Sequence, residues 1–269
     1  MRKFLIVLSI FCSFAFIHSK EKVILGFNQR KLIKNNNYFP NNNMLNSQNH
    51  TFLCSVPRTG TNLTASLMVY LTRHPLFWSK SHNFETGIYI NRFGIDIEYK
   101  KPYLFGTHVS RYLSEVLASN NQFSNNNKLI ITLRNFKEVF FRSEKCSLAG
   151  LSSHYYGVLS LYDNWNPENK LIVKYEDLIK TPESVINLLS SFLGSNKSIV
   201  NKLKTEYTHL KNKSLHSYSI HLGKSKSDAK NPLFHSRSKN VNEIKRIEDF
   251  FKTKNPYLYN KYLKQYEID

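Results

Sequence analysis

The sequence is short of cysteine, glycine, proline and acid: 3 Cys, 9 Gly, 8 Pro and 19 Asp+Glu in 269 residues. Each shortage removes a class of protein. Three cysteines cannot build a disulfide scaffold, and neither a C-x-x-C pair nor a Cys/His spacing suited to zinc is present. Cys12 lies in an N-terminal apolar stretch. Cys54 and Cys146, far apart in the chain, read as buried free thiols, with a single disulfide between them left open. So little glycine and proline excludes collagen-like and low-complexity architectures. No apolar run reaches the ~20 residues that span a bilayer as a helix. No internal repeat is visible.

What the chain has in excess is positive charge: 38 Lys+Arg give a net +19. Such a surface attracts nucleotide phosphates, anionic lipid and acidic glycans, and the same excess also serves solubility. No RNA-binding signature or aromatic-studded basic repeat accompanies it, so nucleic acid is not an expected partner, whereas peripheral contact with a membrane is compatible with it. At 41% hydrophobic residues, the length suits one large domain.

The N-terminus has the form of a targeting signal. Basic Met1-Arg2-Lys3 precedes the apolar run from Phe4 to Ile17, and Ser19 is a small residue before a cut. Residues 1–19 are therefore read as a secretory signal, or as a short retained signal-anchor. Residues 20–50, with Asn35-Asn36-Asn37 and Asn41-Asn42-Asn43, are an Asn/Lys-rich leader predicted to be flexible. Residues 51–269 are read as one large domain. The expected location is the secretory pathway, a Golgi-like lumen in a eukaryote, with cytosolic retention as the alternative.

Short apolar runs mark strands at Phe52 to Val56, Tyr103 to Phe105, Leu129 to Leu133 and Leu171 to Tyr175. Helical patterns follow at Leu63 to Thr72, Lys137 to about Ser147, and Pro182 to Leu193, which Gly194 stops. A last amphipathic helix covers about Asn242 to Lys252. Asn120 to Asn127, Ser147 to Trp165 and Thr208 to Lys239 read as loops. Strand–helix alternation of this kind predicts a parallel α/β sheet.

Pro57-Arg58-Thr59-Gly60-Thr61-Asn62 sits where the first strand turns into the first helix. A turn there aims backbone N–H groups and a helix N-terminus at one point, which binds phosphate. Gly60 permits close approach, Thr61 and Asn62 offer donors, and Arg58 is a permanent cation. The Walker pattern G-x-x-x-x-G-K-[ST] is missing, which argues against a nucleotide kinase.

This loop resembles the 5'-phosphosulfate loop of sulfotransferases that use 3'-phosphoadenosine-5'-phosphosulfate (PAPS), whose pattern is P-[KR]-[ST]-G-T-[TS]. Arg134-Asn135 after the Leu129–Leu133 strand is similar to the family's 3'-phosphate motif, with Arg142 where a serine is usual. Val173-Lys174-Tyr175-Glu176-Asp177-Leu178, then Pro182 and Phe192-Leu193-Gly194, resembles a third family stretch. The resemblance implies an α/β three-layer fold, a central parallel sheet flanked by helices as in P-loop NTPases. It implies PAPS as co-substrate, PAP as product and no metal.

By the same resemblance, Arg58, Thr59, Gly60, Thr61 and Asn62 hold the 5'-phosphosulfate, and Arg134 and Arg142 the 3'-phosphate. Tyr175, Thr205 and Tyr207 lie against the adenine, and Arg237 closes over the 3'-phosphate. Glu176 and Asp177 are structural. Pro102 to His108 is similar to the strand end P-x-x-x-K-T-H, which makes His108 the general base and puts Gly106 where the family carries lysine. Glu85, in His82-Asn83-Phe84-Glu85-Thr86, competes for that role. The acceptor is a hydroxyl, with an anionic glycan favoured by the basic surface. Trp78, Phe84, Tyr89, Tyr155, Tyr156 and Trp165 supply rings that could stack on it. The alternative is a non-catalytic secreted protein that binds polyanions on the same fold. Asn62-Leu63-Thr64 is also a glycosylation sequon, in conflict with a donor site there.

Overall fold

A parallel sheet buries its strands on both faces, and β1 (Thr51–Ser55) obeys this with all five residues buried. The computed structural model describes residues 49–74, 76–78, 88–90, 104–120, 122–142, 146–221 and 240–267, with backbone only at 88–90 and 213–221. Around β1 lie β2 (Leu76–Trp78), β3 (Ile88–Ile90), β4 (Leu104–Thr107), β5 (Lys128–Leu133) and β6 (Lys170–Lys174). Their spatial order is β3-β2-β4-β1-β5-β6. All pair in parallel except β3, which runs antiparallel to β2 at the edge.

The helices are α1 (Thr61–Thr72), α2 (Ser110–Ser119), α3 (Phe123–Asn126), α4 (Phe136–Arg142), α5 (Leu148–Asp163), α6 (Tyr175–Lys180), α7 (Pro182–Leu193), α8 (Lys197–His221) and α9 (Val241–Lys254). Helical turns from Pro256 to Tyr266 end the described chain. Strand alternation divides the core between the two faces. Leu53, Leu104, Ile130 and Val173 pack with α1, α7 and α8 through Leu67, Ile186 and Leu203. Phe52, Phe105 and Ile131 face α2, α4, α5 and α9 through Leu113, Phe136, Leu159 and Phe251. Burial of each such side chain stabilises by about 1.5–3 kcal/mol. This is the three-layer α/β architecture that the resemblance implied.

β1 is flanked by β4 on one side and β5 on the other. The connection after β1 passes over one face through α1, and the connection after β4 passes over the other through α2. Such a switch opens a crevice beyond the carboxyl ends of the strands, where ligands bind in folds of this kind.

Three segments read as loops are helical. Ser147 starts α5 by accepting a hydrogen bond at its Oγ from the Gly150 N–H, and α5 then runs to Asp163. Its alternation of small and bulky residues hides the helical period. Of the segment from Thr208 to Lys239, residues Thr208 to His221 belong to α8. From Lys197 to Asn212 that helix is polar on most of its surface and is held by Val200, Leu203, Tyr207 and Leu210, spaced three and four apart on one face. Within the Asn-rich stretch, α3 forms one turn, and Asn127 is buried with its amide donating to Phe123 O at 2.8 Å. No disulfide joins the two body cysteines; Cys54 is buried, but Cys146 is partly exposed. No described helix is long and apolar enough to cross a membrane.

Candidate active site

Four connections leave the carboxyl ends of β1, β4, β5 and β6, and each carries a residue singled out above. Register aligns those ends: Cys54 pairs with Thr107, Ser55 with Thr132, and Leu133 with Lys174. Beyond them stand the loop at 57–60, His108, Arg134 and Tyr175.

The loop after β1 is wound through two left-handed residues, Arg58 at φ 73° and Gly60 at φ 92°. Alternation of this sort turns successive N–H groups to one side and forms an anion-binding concavity. The backbone strain at Arg58 is of order 1–3 kcal/mol. Thr59 anchors the loop from beneath: fully buried, it donates to Val56 O at 2.7 Å and bonds the Thr132 hydroxyl of β5. α1 begins at Thr61 with no side-chain cap and no acid in its first turn. Its first N–H groups and positive dipole end therefore face the loop's concavity. Asn62 and Arg58 are exposed there, while Thr61 is buried.

Arg134 lies beside the loop, only 7% exposed. One terminal nitrogen donates to Arg58 O at 3.4 Å, and the guanidinium sits 4.0 Å above the Tyr175 ring centroid. Its Nε is buried and has no hydrogen-bond partner. A buried guanidinium N–H without an acceptor is costly, and an anionic oxygen is the group that relieves it. Burial lowers the Arg134 pKa from its ordinary value, and the charge of nearby Arg142 adds to this. Arg142 itself is 4.0 Å from Glu138. The backbone of the Arg134 turn is held from three directions. Tyr155 donates to Arg134 O at 2.8 Å, Asn135 N–H donates to Glu176 Oε1 at 3.0 Å, and Lys137 N–H donates to Asn135 Oδ1 at 3.1 Å. Lys137 Nζ is bonded to Glu248 and to Tyr266 O, which clamps the C-terminal turns onto α4. Glu176, read as structural, is placed to hold this turn.

His108 follows β4. Its Nδ1 lies 2.7 Å from Ser55 O and 3.3 Å from Ser55 Oγ. A carbonyl oxygen accepts, so Nδ1 carries the hydrogen and Nε2 keeps its lone pair. Burial lowers the His108 pKa from 6.5; the bond to Ser55 opposes that shift, and His154 reinforces it. Neutral imidazole with a free Nε2 can accept a proton. Ser55 Oγ also bonds Thr61 Oγ1 at 2.8 Å, so one buried hydroxyl joins the histidine to the start of α1. Glu85 and Arg237 lie outside the described residues.

The remaining expected contacts divide. Tyr207 is buried on α8, with its hydroxyl bonded to Leu178 O in α6, next to Tyr175. Thr205, on the same helix, is exposed and bonds Lys202 O at 2.7 Å. Of the rings expected to line the acceptor side, Tyr155, Tyr156 and Trp165 are core residues, with their polar atoms bonded to Arg134 O, Phe251 O and Asn127 O. Their place in α5 and just after it, packed on the sheet, is the reason. Phe84 and the Tyr89 side chain lie outside the described residues. Trp78 stands beside His108, with ring centroids 4.8 Å apart. Ser55 and His154 were not singled out in the sequence; a small polar residue closing an apolar strand just before the phosphate loop was the available signal for Ser55.

Several solved structures are similar. Retinol dehydratase in complex with androsterone and the inactive cofactor PAP has 11% identity over 82% of each chain, at a TM-score of 0.44. A mouse sulfotransferase complexed with PAP has 21% identity over 61% of this chain and 67% of that one, at 0.41. A sulfotransferase from Alicyclobacillus acidocaldarius has 13% identity over 68% of this chain and 99% of that one, at 0.33. No curated protein matches the chain. The family model described as a sulfotransferase domain matches residues 107–254, more than half of the chain, from the end of β4 through α9. The match takes in His108, Arg134 and Tyr175, and on its strength the chain belongs to the sulfotransferase family.

Proposed function

We propose that the chain transfers the sulfuryl group of PAPS to an acceptor hydroxyl, a glycan hydroxyl by preference, with His108 as general base and Arg58 beside the leaving phosphate. The bond from sulfur to the 5'-phosphate oxygen breaks, and a bond from sulfur to the acceptor oxygen forms. The acceptor proton passes to His108 Nε2, and the electron pair of the broken bond stays on the phosphate of PAP. Donor charge is met by guanidinium groups and backbone N–H groups, so positioning and electrostatics carry most of the task. The observation that carries this reading is the buried Arg134, with its unpartnered Nε, beside an uncapped helix N-terminus. A 3'-phosphate at Arg134 and Arg142 and a 5'-phosphosulfate in the loop at 58–62 fit these groups.

We also read residues 1–19 as the signal, 20–50 as the leader and 51–269 as the domain, which directs the protein into the secretory pathway. A glycan at Asn62 would then obstruct the donor loop. Thr64 of that sequon is fully buried in α1, which favours an unmodified Asn62 once α1 has formed.

Calorimetric titration with PAP tests the reading. The wild-type chain should bind with a dissociation constant on the order of 1 μM. Arg58→Ala and Arg134→Ala should each weaken binding about tenfold or more, a change of about 1.4 kcal/mol. His108→Ala should bind PAP as the wild type does and lose about 10²–10⁴-fold in turnover. A folded wild type that binds no PAP would sink the proposal and leave the polyanion-binding alternative.

A further inference from the structure

The turn between β5 and α4 carries Arg134, and the polar groups of that turn belong to a closed circuit of hydrogen bonds. Asn135 N–H donates to Glu176 Oε1 at 3.0 Å. The other carboxylate oxygen, Oε2, accepts from the Tyr266 hydroxyl at 3.4 Å. The Tyr266 carbonyl accepts from Lys137 Nζ, and Lys137 N–H donates to Asn135 Oδ1 at 3.1 Å, which closes the circuit. Its members come from three places in the sequence: the Arg134 turn with the start of α4, the first turn of α6, and the last helical turn, Lys264–Tyr266.

The links are set in the interior. Lys137 is 4% exposed and Tyr266 9%. A buried ammonium needs a counter-charge, and Glu248 of α9 supplies it, so Lys137 is fixed by α9 as well as by the C-terminal turn. Burial raises the Tyr266 pKa, and the Glu176 carboxylate adds to the rise, so the hydroxyl remains a donor. The Arg134 side chain is held loosely by comparison. Its guanidinium has a 3.4 Å bond to Arg58 O and rests 4.0 Å above the Tyr175 ring, while its Nε has no hydrogen-bond partner. Tyr175 is the residue before Glu176. One carboxylate therefore fixes the turn that bears the guanidinium and the residue adjoining the ring on which it rests.

We infer that Tyr266 is a positioning residue for the 3'-phosphate: its hydroxyl orients the Glu176 carboxylate, and through it the spacing of Arg134 and Tyr175. This rests on the sulfuryl-transfer reading above. Tyr266 acts at one remove, with Glu176 and the turn standing between it and the guanidinium. It should govern the part of donor affinity that the 3'-phosphate supplies, because the 5' group is met by the loop at 58–62 instead.

The test is calorimetric titration of the full chain with PAP and with adenosine 5'-phosphate, which lacks the 3'-phosphate. The wild type should prefer PAP about tenfold or more. Tyr266→Phe keeps the packed ring and removes only the hydroxyl. It should cut PAP affinity about fivefold and leave adenosine 5'-phosphate within about twofold of wild type. Lys137→Met opens the circuit at another link and should lower the same preference, and the double variant should lose little more than the weaker-binding single one. Tyr156→Phe removes a hydroxyl bonded to Phe251 O, outside the circuit, and should keep the wild-type preference whatever it does to Tm. A preference for PAP unchanged in Tyr266→Phe, or an equal fall for both nucleotides, overturns the positioning role. A wild type that binds both nucleotides alike overturns it too. One that binds no PAP overturns the sulfuryl-transfer reading itself.

Discussion

His108 takes its properties from neighbours on three different elements. The Ser55 carbonyl sets its tautomer, burial beside Trp78 favours its neutral form, and His154 on α5 adds repulsion against its charged form. Its pKa is therefore lowered, and the proposed base is lost only as pH falls through that lowered value. The acid limb of kcat/KM should have its midpoint below pH 6.5. His154→Ala removes a lowering influence, so the limb should move up in pH; an unmoved limb would detach His154 from the base. Ser55→Ala keeps the carbonyl but cuts the hydroxyl link between His108 and Thr61. We expect turnover to fall about tenfold, the worth of one buried hydrogen bond, with PAP affinity within about threefold of wild type. Equal loss in affinity and turnover would make Ser55 a loop anchor only. Arg58, Gly60, Arg134 and His108 could be named from their motifs, because each ends or follows a legible strand. Ser55, His154 and the approach of Trp78 to His108 could not, because their meaning lies in who sits opposite.

On the proposed reading, the loop from β1 to α1 is the element on which the donor site turns. Gly60 is left-handed, and a Cβ there would come 2.8 Å from Tyr175 Cδ2 and 3.3 Å from Leu178 Cδ1 of α6. Gly60→Ala thus combines backbone strain with a collision, at a cost of about 1–3 kcal/mol. In a chain of this size that lowers Tm by about 2–4 °C per kcal/mol. Because Tyr175 also carries Arg134 on its ring, the same variant should weaken PAP binding; calorimetry and a melting curve on one sample check both. A lowered Tm with unchanged PAP affinity would separate the loop from the Arg134 site. Helices were legible where an apolar stripe or a cap announced them, as in α7 between Pro182 and Gly194. α5 and the later turns of α8 were not: Ser153, His154, Gly157 and Ser160 separate the bulky apolar residues of the one, and the sequence of the other is mostly polar from Thr208 on.

At the scale of the molecule, the net charge of +19 and the buried Arg134 should make separable contributions to the proposed donor binding. Surface attraction is screened as the Debye length shrinks from about 10 Å at 0.1 M salt to about 3 Å at 1 M. Contacts inside the crevice are screened much less. PAP affinity should accordingly fall between these salt concentrations and then level off, with the residual binding lost in Arg134→Ala. Complete loss of wild-type binding at 1 M would assign the donor site to the surface field alone. The sequence by itself determined the parallel α/β class, the turn between the first strand and the first helix, and the order of its motifs, because hydrophobic runs and turn residues act over a few neighbouring positions. Only the tertiary structure decided which strands adjoin β1. That adjacency brings residues 55, 78, 108 and 134 to one crevice, since parallel strands are joined through long crossovers whose partners no local pattern encodes.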